Sequence, residues 1–337
     1  MPPPQSPPAA ERRESATAMS KLAFLFPGQS SQYPGMGRDL AEKFPESRAV
    51  FDEADGTLGF PISKMCFEGT EEELKLTENT QPAILTVSVA AYRALAAKGI
   101  QPDYAAGHSL GEYSALVAAG ALEFSTAVKL VRQRGRYMQE AVPAGAGAMA
   151  AILGMSPADV AEVCKKAAGG EVVSPANLNS PEQTVIAGSA AAVKRAVETA
   201  SQAGAKRAVV LAVSAPFHCS MLMPAQQRLE TDLRAAKFSA QRFPVITNVD
   251  AEEITSADEA RDSLIRQVTM PVRWLESVRE MIDLGVNIFV EVGPGKVLSG
   301  LMRQIDRSVR VLNVEDAASL QSTVDKIAQA RAEAPES

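Results

Sequence analysis

Gly107, Ser109 and Gly111 place G-x-S-x-G between a short strand-compatible run, Asp103 to Ala106, and a helical pattern, Ser109 to Ala119, that stops at Gly120. That spacing describes a nucleophile elbow. Glycines make room for a sharp strand-to-helix turn, the turn pushes the serine Oγ out above the sheet, and the helix N-terminus favours the negative charge that attack creates. The plain alternative is a Gly-rich turn whose serine caps the helix. A nucleophile needs a base, and the chain has only two histidines, His108 and His218. Consecutive side chains at a turn point apart, so His108 is poorly placed to take the Ser109 proton. His218 follows Pro216-Phe217 at an expected strand end, where a loop can reach the carboxyl edge of a sheet. No acid between the two stands out as an orienting group; Glu112 lies near the elbow but could equally be a partner of the helix dipole. A backbone carbonyl can hold the imidazole instead, so a Ser-His dyad is the expected arrangement.

Arg132, Arg134 and Arg136 lie on one helical stretch, Ser125 to Ala141. Helical geometry puts Arg132 and Arg136 on one face and Arg134 about 200° around from each. A lone arginine on the packed face needs an anionic partner, and a substrate carboxylate would serve through two parallel hydrogen bonds. The run Val292-Gly293-Pro294-Gly295-Lys296 is read as a tight turn: Leu298 stands where a dinucleotide fingerprint needs its third glycine, and the P-loop spacing is absent.

The elements that must hold these groups follow a βα rhythm. Lys21 to Phe26 is a buried-strand run breaking at Pro27-Gly28-Gln29-Ser30-Ser31-Gln32, a loop at the carboxyl end of a strand, where open α/β sheets keep their sites. A helix from Gln81 to Lys98, with Pro82 at its start, precedes the elbow. After the small-residue hinge Pro143 to Gly147 the order becomes βαββαβ: strand Ala148 to Leu153, helix to Ala168, strands Val172 to Asn177 and Gln183 to Ala187, helix Ala190 to Ala203, strand Lys206 to Ser214. That is the ferredoxin-like order. Helices then run from Met221 to Ala236, Ala257 to Gln267 and Val272 to Leu284, with strands at Val245 to Asn248, Asn287 to Val292 and Arg310 to Val314. The expected fold class is α/β: a hydrolase-like core with a mostly parallel sheet, residues 19–145 and 213–320, and an inserted ferredoxin-like subdomain, residues 146–212. Residues 1–18, rich in proline, form a disordered tail, and residues 321–337 a helix end and tail.

With 337 residues and 46% hydrophobic content, the chain can bury one large core with a satellite. Net charge −6 argues against nucleic acid and acidic membranes as general partners, so an acidic partner must dock on a local basic patch. No apolar run approaches the length of a membrane span. Three cysteines without C-x-x-C spacing suggest neither disulfides nor a zinc site, which fits the cytoplasm.

Eight ordered motifs together resemble the malonyl-CoA:acyl-carrier-protein transacylase family over residues 21–320. They are Phe26-Pro27-Gly28-Gln29-Ser30-Ser31-Gln32, Thr80-Gln81-Pro82-Ala83, Gly107-His108-Ser109-Leu110-Gly111-Glu112, Arg132-Gln133-Arg134-Gly135, Asn177-Leu178-Asn179-Ser180-Pro181, Pro216-Phe217-His218, Asn248-Val249-Asp250 and Glu291-Val292-Gly293-Pro294-Gly295. The resemblance implies Ser109 as the acylated nucleophile, His218 as its base, and Gln267 as the orienter of His218 through its main-chain carbonyl. It further implies oxyanion-hole amides at Gln29 and Leu110 and a malonyl carboxylate on Arg134. The partners it implies are malonyl-CoA and acyl carrier protein, in fatty-acid synthesis, with no metal or other cofactor; a monomer is expected. Ser30 stands where many members have a second glycine, and Phe217 resembles malonyl-selective domains. Acyl carrier protein is acidic by the same resemblance, so Lys206 and Arg207, at the start of the strand leading toward His218, are the candidate docking residues. A serine hydrolase or thioesterase, malonyl loading for polyketide synthesis, and a non-catalytic carrier-binding scaffold are the competing readings.

Overall fold

The computed structural model describes residues 20–213 and 215–333; the expected N-terminal tail lies outside the described residues. Among the described residues ten strands build two sheets: β1 (Lys21–Phe26), β2 (Tyr104–Gly107), β3 (Gly147–Leu153), β4 (Val173–Ser180), β5 (Gln183–Ser189), β6 (Arg207–Val210), β7 (Val245–Ile246), β8 (Glu253–Ile254), β9 (Val286–Val292) and β10 (Arg310–Val314). The larger sheet has the order β10-β9-β1-β2-β7-β8, parallel except for the short edge strand β8. Its middle strand reads Lys-Leu-Ala-Phe-Leu-Phe, and all but the first residue are buried, because helices cover both faces. Parallel pairing of Phe26 with Gly107 brings the carboxyl ends of β1 and β2 to one edge. The Pro27 to Gln32 loop therefore meets the elbow there, joined by the His108 N–H donating to Phe26 O at 3.0 Å.

The smaller sheet is antiparallel, order β4-β5-β3-β6, with the helices Pro157–Ala168 and Ala190–Gln202 between its strands. This is the ferredoxin-like βαββαβ order expected from the sequence. Asn177 of β4 bridges Val272 in parallel; the Leu178 N–H donates to Val272 O at 2.9 Å and the Val272 N–H to Ala176 O at 2.8 Å. Val272 was expected to open a helix. Its backbone instead ties β4 of the small sheet to the segment that leads into the helix Trp274–Asp283.

Two further boundary differences bear on the site. The helix expected over Gln81 to Lys98, with Pro82 at its start, spans Thr77–Ala97 with Pro82 inside it. Pro82 forgoes only the bond its N–H would make to the Glu78 carbonyl, Thr86 Oγ1 donates to Pro82 O at 2.7 Å, and the helix continues through it. The strand expected over Lys206 to Ser214 ends at Val210, and Leu211 and Val213 turn to line a cavity; Ser214 lies outside the described residues.

Candidate active site

The glycines of the elbow are dictated by sterics. A Cβ on Gly107 would sit 1.9 Å from Gly111 C and O, and one on Gly111 would sit 2.0 Å from Phe26 O. Only without side chains can the helix Gly111–Ala118 start this close to β1 and β2. Ser109 then takes φ 51°, the left-handed region that L-residues rarely adopt. Tertiary hydrogen bonds hold it there: its N–H donates to Asn248 Oδ1 at 2.7 Å, and Asn248 Nδ2 donates to Gly107 O at 2.7 Å.

Ser109 Oγ lies 2.7 Å from His218 Nε2, and His218 Nδ1 lies 2.8 Å from the Gln267 carbonyl oxygen. A carbonyl only accepts, so Nδ1 carries the proton and Nε2 presents its lone pair to the serine. Gln267 is the last residue of the helix Ala257–Gln267. Its carbonyl is one of the unpaired groups at a helix C-terminus, an end that favours a cation and so an imidazolium as it forms. Burial, then the charge of Arg134, push the resting His218 down to about 3, so it is neutral in the free protein, with the Nε2 lone pair unprotonated. His108 takes another direction: Nε2 meets Asn179 Oδ1 at 2.8 Å and the ring packs on Trp274.

Of the three arginines, Arg136 is exposed and pairs with Glu140, and Arg132 stacks over Phe60. Arg134 is 1% exposed. Its Nη1 donates to Gln81 Oε1 at 2.8 Å, and its Nη2 donates to Gln267 Oε1 and Ser109 Oγ, both at 3.0 Å. No ion pair to Arg134 occurs among the described residues, and its Nε has no acceptor. Gly135 brings Gln81 within reach, since a Cβ there would meet Thr77 O at 2.5 Å. A buried guanidinium with no direct carboxylate partner, aimed at a nucleophile, has the geometry to receive an anionic group.

These groups open onto a cavity of about 260 Å³ between the two sheets. Gln29 and Leu110 line it, and neither amide N–H has an acceptor among the described residues. Gly28 allows the loop to approach the elbow, because a Cβ there would lie 2.4 Å from His108 O. The arrangement offers a nucleophile, a base, two unengaged amides and a cation, which together suit acyl transfer from a carboxylated thioester. Lys206 and Arg207 do not line the cavity. Lys206 pairs with Glu182 at 2.7 Å on the surface, and Arg207 is exposed at the far end of β6 from Leu211.

Comparison with known proteins agrees with that chemistry. The acyl transferase domain model matches residues 23–330. The malonyl CoA-acyl carrier protein transacylase of Bacillus subtilis is 49% identical over 92% of this chain and 98% of its own length. This chain belongs to that transacylase family. The Escherichia coli transacylase is 50% identical over 85% of this chain and 93% of its own length. Among solved structures, the family member from Coxiella burnetii superposes with a TM-score of 0.90 at 43% identity, covering 93% of this chain and 99% of that one. A malonyl-transacylase in complex with a type II PKS acyl-carrier protein matches with a TM-score of 0.89 at 46% identity, covering 91% of this chain and all of that chain.

Three residues of this family member matter to the site beyond those expected from sequence. Gln81 and Asn248 belong to motifs that carry the resemblance but had no role there. Glu112, in the first turn of its helix, is fully buried beneath the elbow. A signal was available: its helix, Gly-Glu-Tyr-Ser-Ala-Leu-Val-Ala, is buried all round and offers an acid no wet face.

Proposed function

We propose that this protein moves the malonyl group of malonyl-CoA to the phosphopantetheine thiol of acyl carrier protein through a malonyl ester on Ser109, for fatty-acid synthesis. In the first half-reaction Ser109 Oγ attacks the thioester carbonyl as His218 Nε2 takes its proton, and the oxyanion faces the Gln29 and Leu110 amides. The C–S bond breaks, and the CoA sulfur leaves with the proton from His218. In the second, His218 takes the carrier thiol proton, the sulfur attacks the malonyl ester, and Ser109 leaves protonated. Each oxyanion donor contributes roughly 3 to 4 kcal/mol to lowering the barrier. Gln267 orients His218 through its carbonyl, and Arg134 holds the malonyl carboxylate.

The observation that carries this reading is the buried guanidinium on the serine hydroxyl itself, Arg134 Nη2 to Ser109 Oγ at 3.0 Å. Ordinary hydrolytic chemistry has no use for a cation there, whereas a three-carbon diacid thioester brings its free carboxylate to that distance. Incubation with malonyl-CoA alone, followed by intact mass and peptide mapping, tests it. A stable malonyl adduct on Ser109, discharged by carrier protein, is expected. Continuous CoA release with no adduct would mean hydrolysis, and no adduct with no release a binding scaffold.

The same reading assigns residues 19–145 and 213–320 to the catalytic lobe and 146–212 to the small one. Lys206 and Arg207 are proposed as a carrier-protein contact, supported by their exposure on the small lobe; Lys206 must exchange Glu182 for the partner's acid. We place the protein in the cytoplasm as a monomer. The buried, unpaired Cys66, Cys164 and Cys219 accord with a reducing compartment. No helix among the described residues is long and apolar enough to cross a membrane.

A further inference from the structure

Glu112 is 0% exposed, and each of its carboxylate oxygens accepts from a buried donor. Oε1 accepts from Ser263 Oγ at 2.7 Å; Oε2 accepts from the Asn248 N–H at 2.9 Å and from Gln267 Nε2 at 2.9 Å. Three donors converging on two oxygens suit a carboxylate rather than an acid. Two of those donors belong to the residues that hold the dyad: Asn248 caps the Ser109 N–H, and Gln267 holds His218 Nδ1.

The Gln267 side chain also fixes a relation between two buried charges. Its Oε1 accepts from Arg134 Nη2 at 3.0 Å while its Nε2 donates to Glu112 Oε2 at 2.9 Å. One amide thus separates a guanidinium from a carboxylate, with its dipole aligned so that each end meets the opposite charge. A direct salt bridge would occupy the face of Arg134 that a substrate carboxylate needs. No counter-ion at all would leave an uncompensated buried cation beside the nucleophile, which costs far more than a paired one. An interposed amide meets both requirements.

We propose that Glu112 is the counter-ion of Arg134, acting across the Gln267 amide, and thereby a positioning residue that keeps the guanidinium charged but open to an acyl carboxylate. Burial disfavours ionisation of both groups, and each is partly restored by the other's charge. Tyr113, over whose ring Arg134 lies, is held neutral by its own burial, so Glu112 is the anion among the groups that act on Arg134. The role of Arg134 as carboxylate receptor rests on the function proposed above; the charge pairing does not.

The two are tested separately. The first test is a double-mutant cycle on the ligand-free protein with Glu112→Gln, Arg134→Met and both together, read as Tm. Either single variant leaves one buried charge unopposed, whereas the double removes both. A double variant more stable than at least one single is expected, and additive losses would overturn the pairing. If Glu112→Gln alone does not fold, recovery of a folded protein on adding Arg134→Met supports the pairing equally, and failure to recover overturns it. The second test is steady-state kinetics of folded Glu112→Gln with malonyl-CoA. An unopposed Arg134 binds the malonyl carboxylate at least as well but resists a second positive charge on His218. kcat should fall at least about tenfold, the size of a one-unit change in His218 proton affinity, with KM unchanged or lower. A rise in KM together with the fall in kcat would mark mere loosening and overturn the positioning role. Additive Tm losses would therefore count against the counter-ion alone, and an absent Ser109 adduct in the wild type against the malonyl reading alone.

Discussion

The two walls of the cavity are built on opposite principles. The wall from the parallel sheet and its helices carries Ser109, His218, Arg134 and Gln81, each held by named hydrogen bonds and almost all buried. The wall from the antiparallel sheet presents Met149, Ala151 and Val185, with Leu211 just beyond β6, and its polar groups are the uncharged amides of Asn177, Asn179 and Gln183. Charge is placed where a packed core can fix it to within a fraction of an ångström. The apolar wall lowers the local dielectric and so strengthens each of those charges. Substitutions on the first wall should therefore be severe and selective, and those on the second mild and unselective.

The largest effect is expected for Ser109→Ala, which removes the atom proposed to form the acyl ester; transfer should drop by about a millionfold, as for nucleophile loss in serine proteases. Stopped acylation with malonyl-CoA binding retained, by calorimetry, is the measurement. Arg134→Ala comes next. It should cost malonyl transfer about 2 to 5 kcal/mol in kcat/KM while acetyl-CoA, lacking the carboxylate, loses far less. Arg134→Lys should recover little, because an ammonium cannot reproduce the planar fork. An equal drop for both acyl groups would move Arg134 from selecting substrate to supporting structure, and with it the contrast between the walls.

A smaller effect concerns pH. Burial and Arg134 hold His218 down to about 3, so kcat/KM for acylation should stay level as pH falls through 6.5, with its acid limb lying several units lower. Stability follows with a definite sign. Between about 6.5 and the folded value the unfolded chain binds a proton that the folded one does not, so stability is full above 6.5 and falls with pH by up to about 1.4 kcal/mol per unit. Chemical denaturation of wild type and His218→Ala across pH 4 to 7 reads this difference, and parallel curves would contradict it. On the apolar wall, Leu211→Ala removes three carbons of a half-buried side chain, worth at most ~0.8 kcal/mol each, so kcat/KM should change by less than about sixtyfold and equally for malonyl and acetyl, since such burial ignores charge. A selective effect there would show that the small lobe also reads the acyl group. The smallest shift is expected for Lys206→Glu with Arg207→Glu, seen only as a higher KM for carrier protein and a weaker salt dependence.

Local chemistry made much of this molecule legible from its residues. The elbow could be read because Gly107 and Gly111 answer to backbone sterics a few residues away, and the βαββαβ order because strand and helix periods are short-range properties. Arg134 was separable from Arg132 and Arg136 by helical angle alone. What the tertiary structure decided are the contacts between groups remote in the chain. Glu112 meets Gln267 and Ser263, more than 150 residues on, only because a helix C-terminus docks beneath the elbow. Val272 leaves its expected helix to pair with Asn177, and Lys206 finds Glu182 across the surface. Periodicity reports which face of an element is apolar, but a buried charge is tolerated only by partners of opposite sign or matching hydrogen bonds. Which residues supply them is settled when the elements pack.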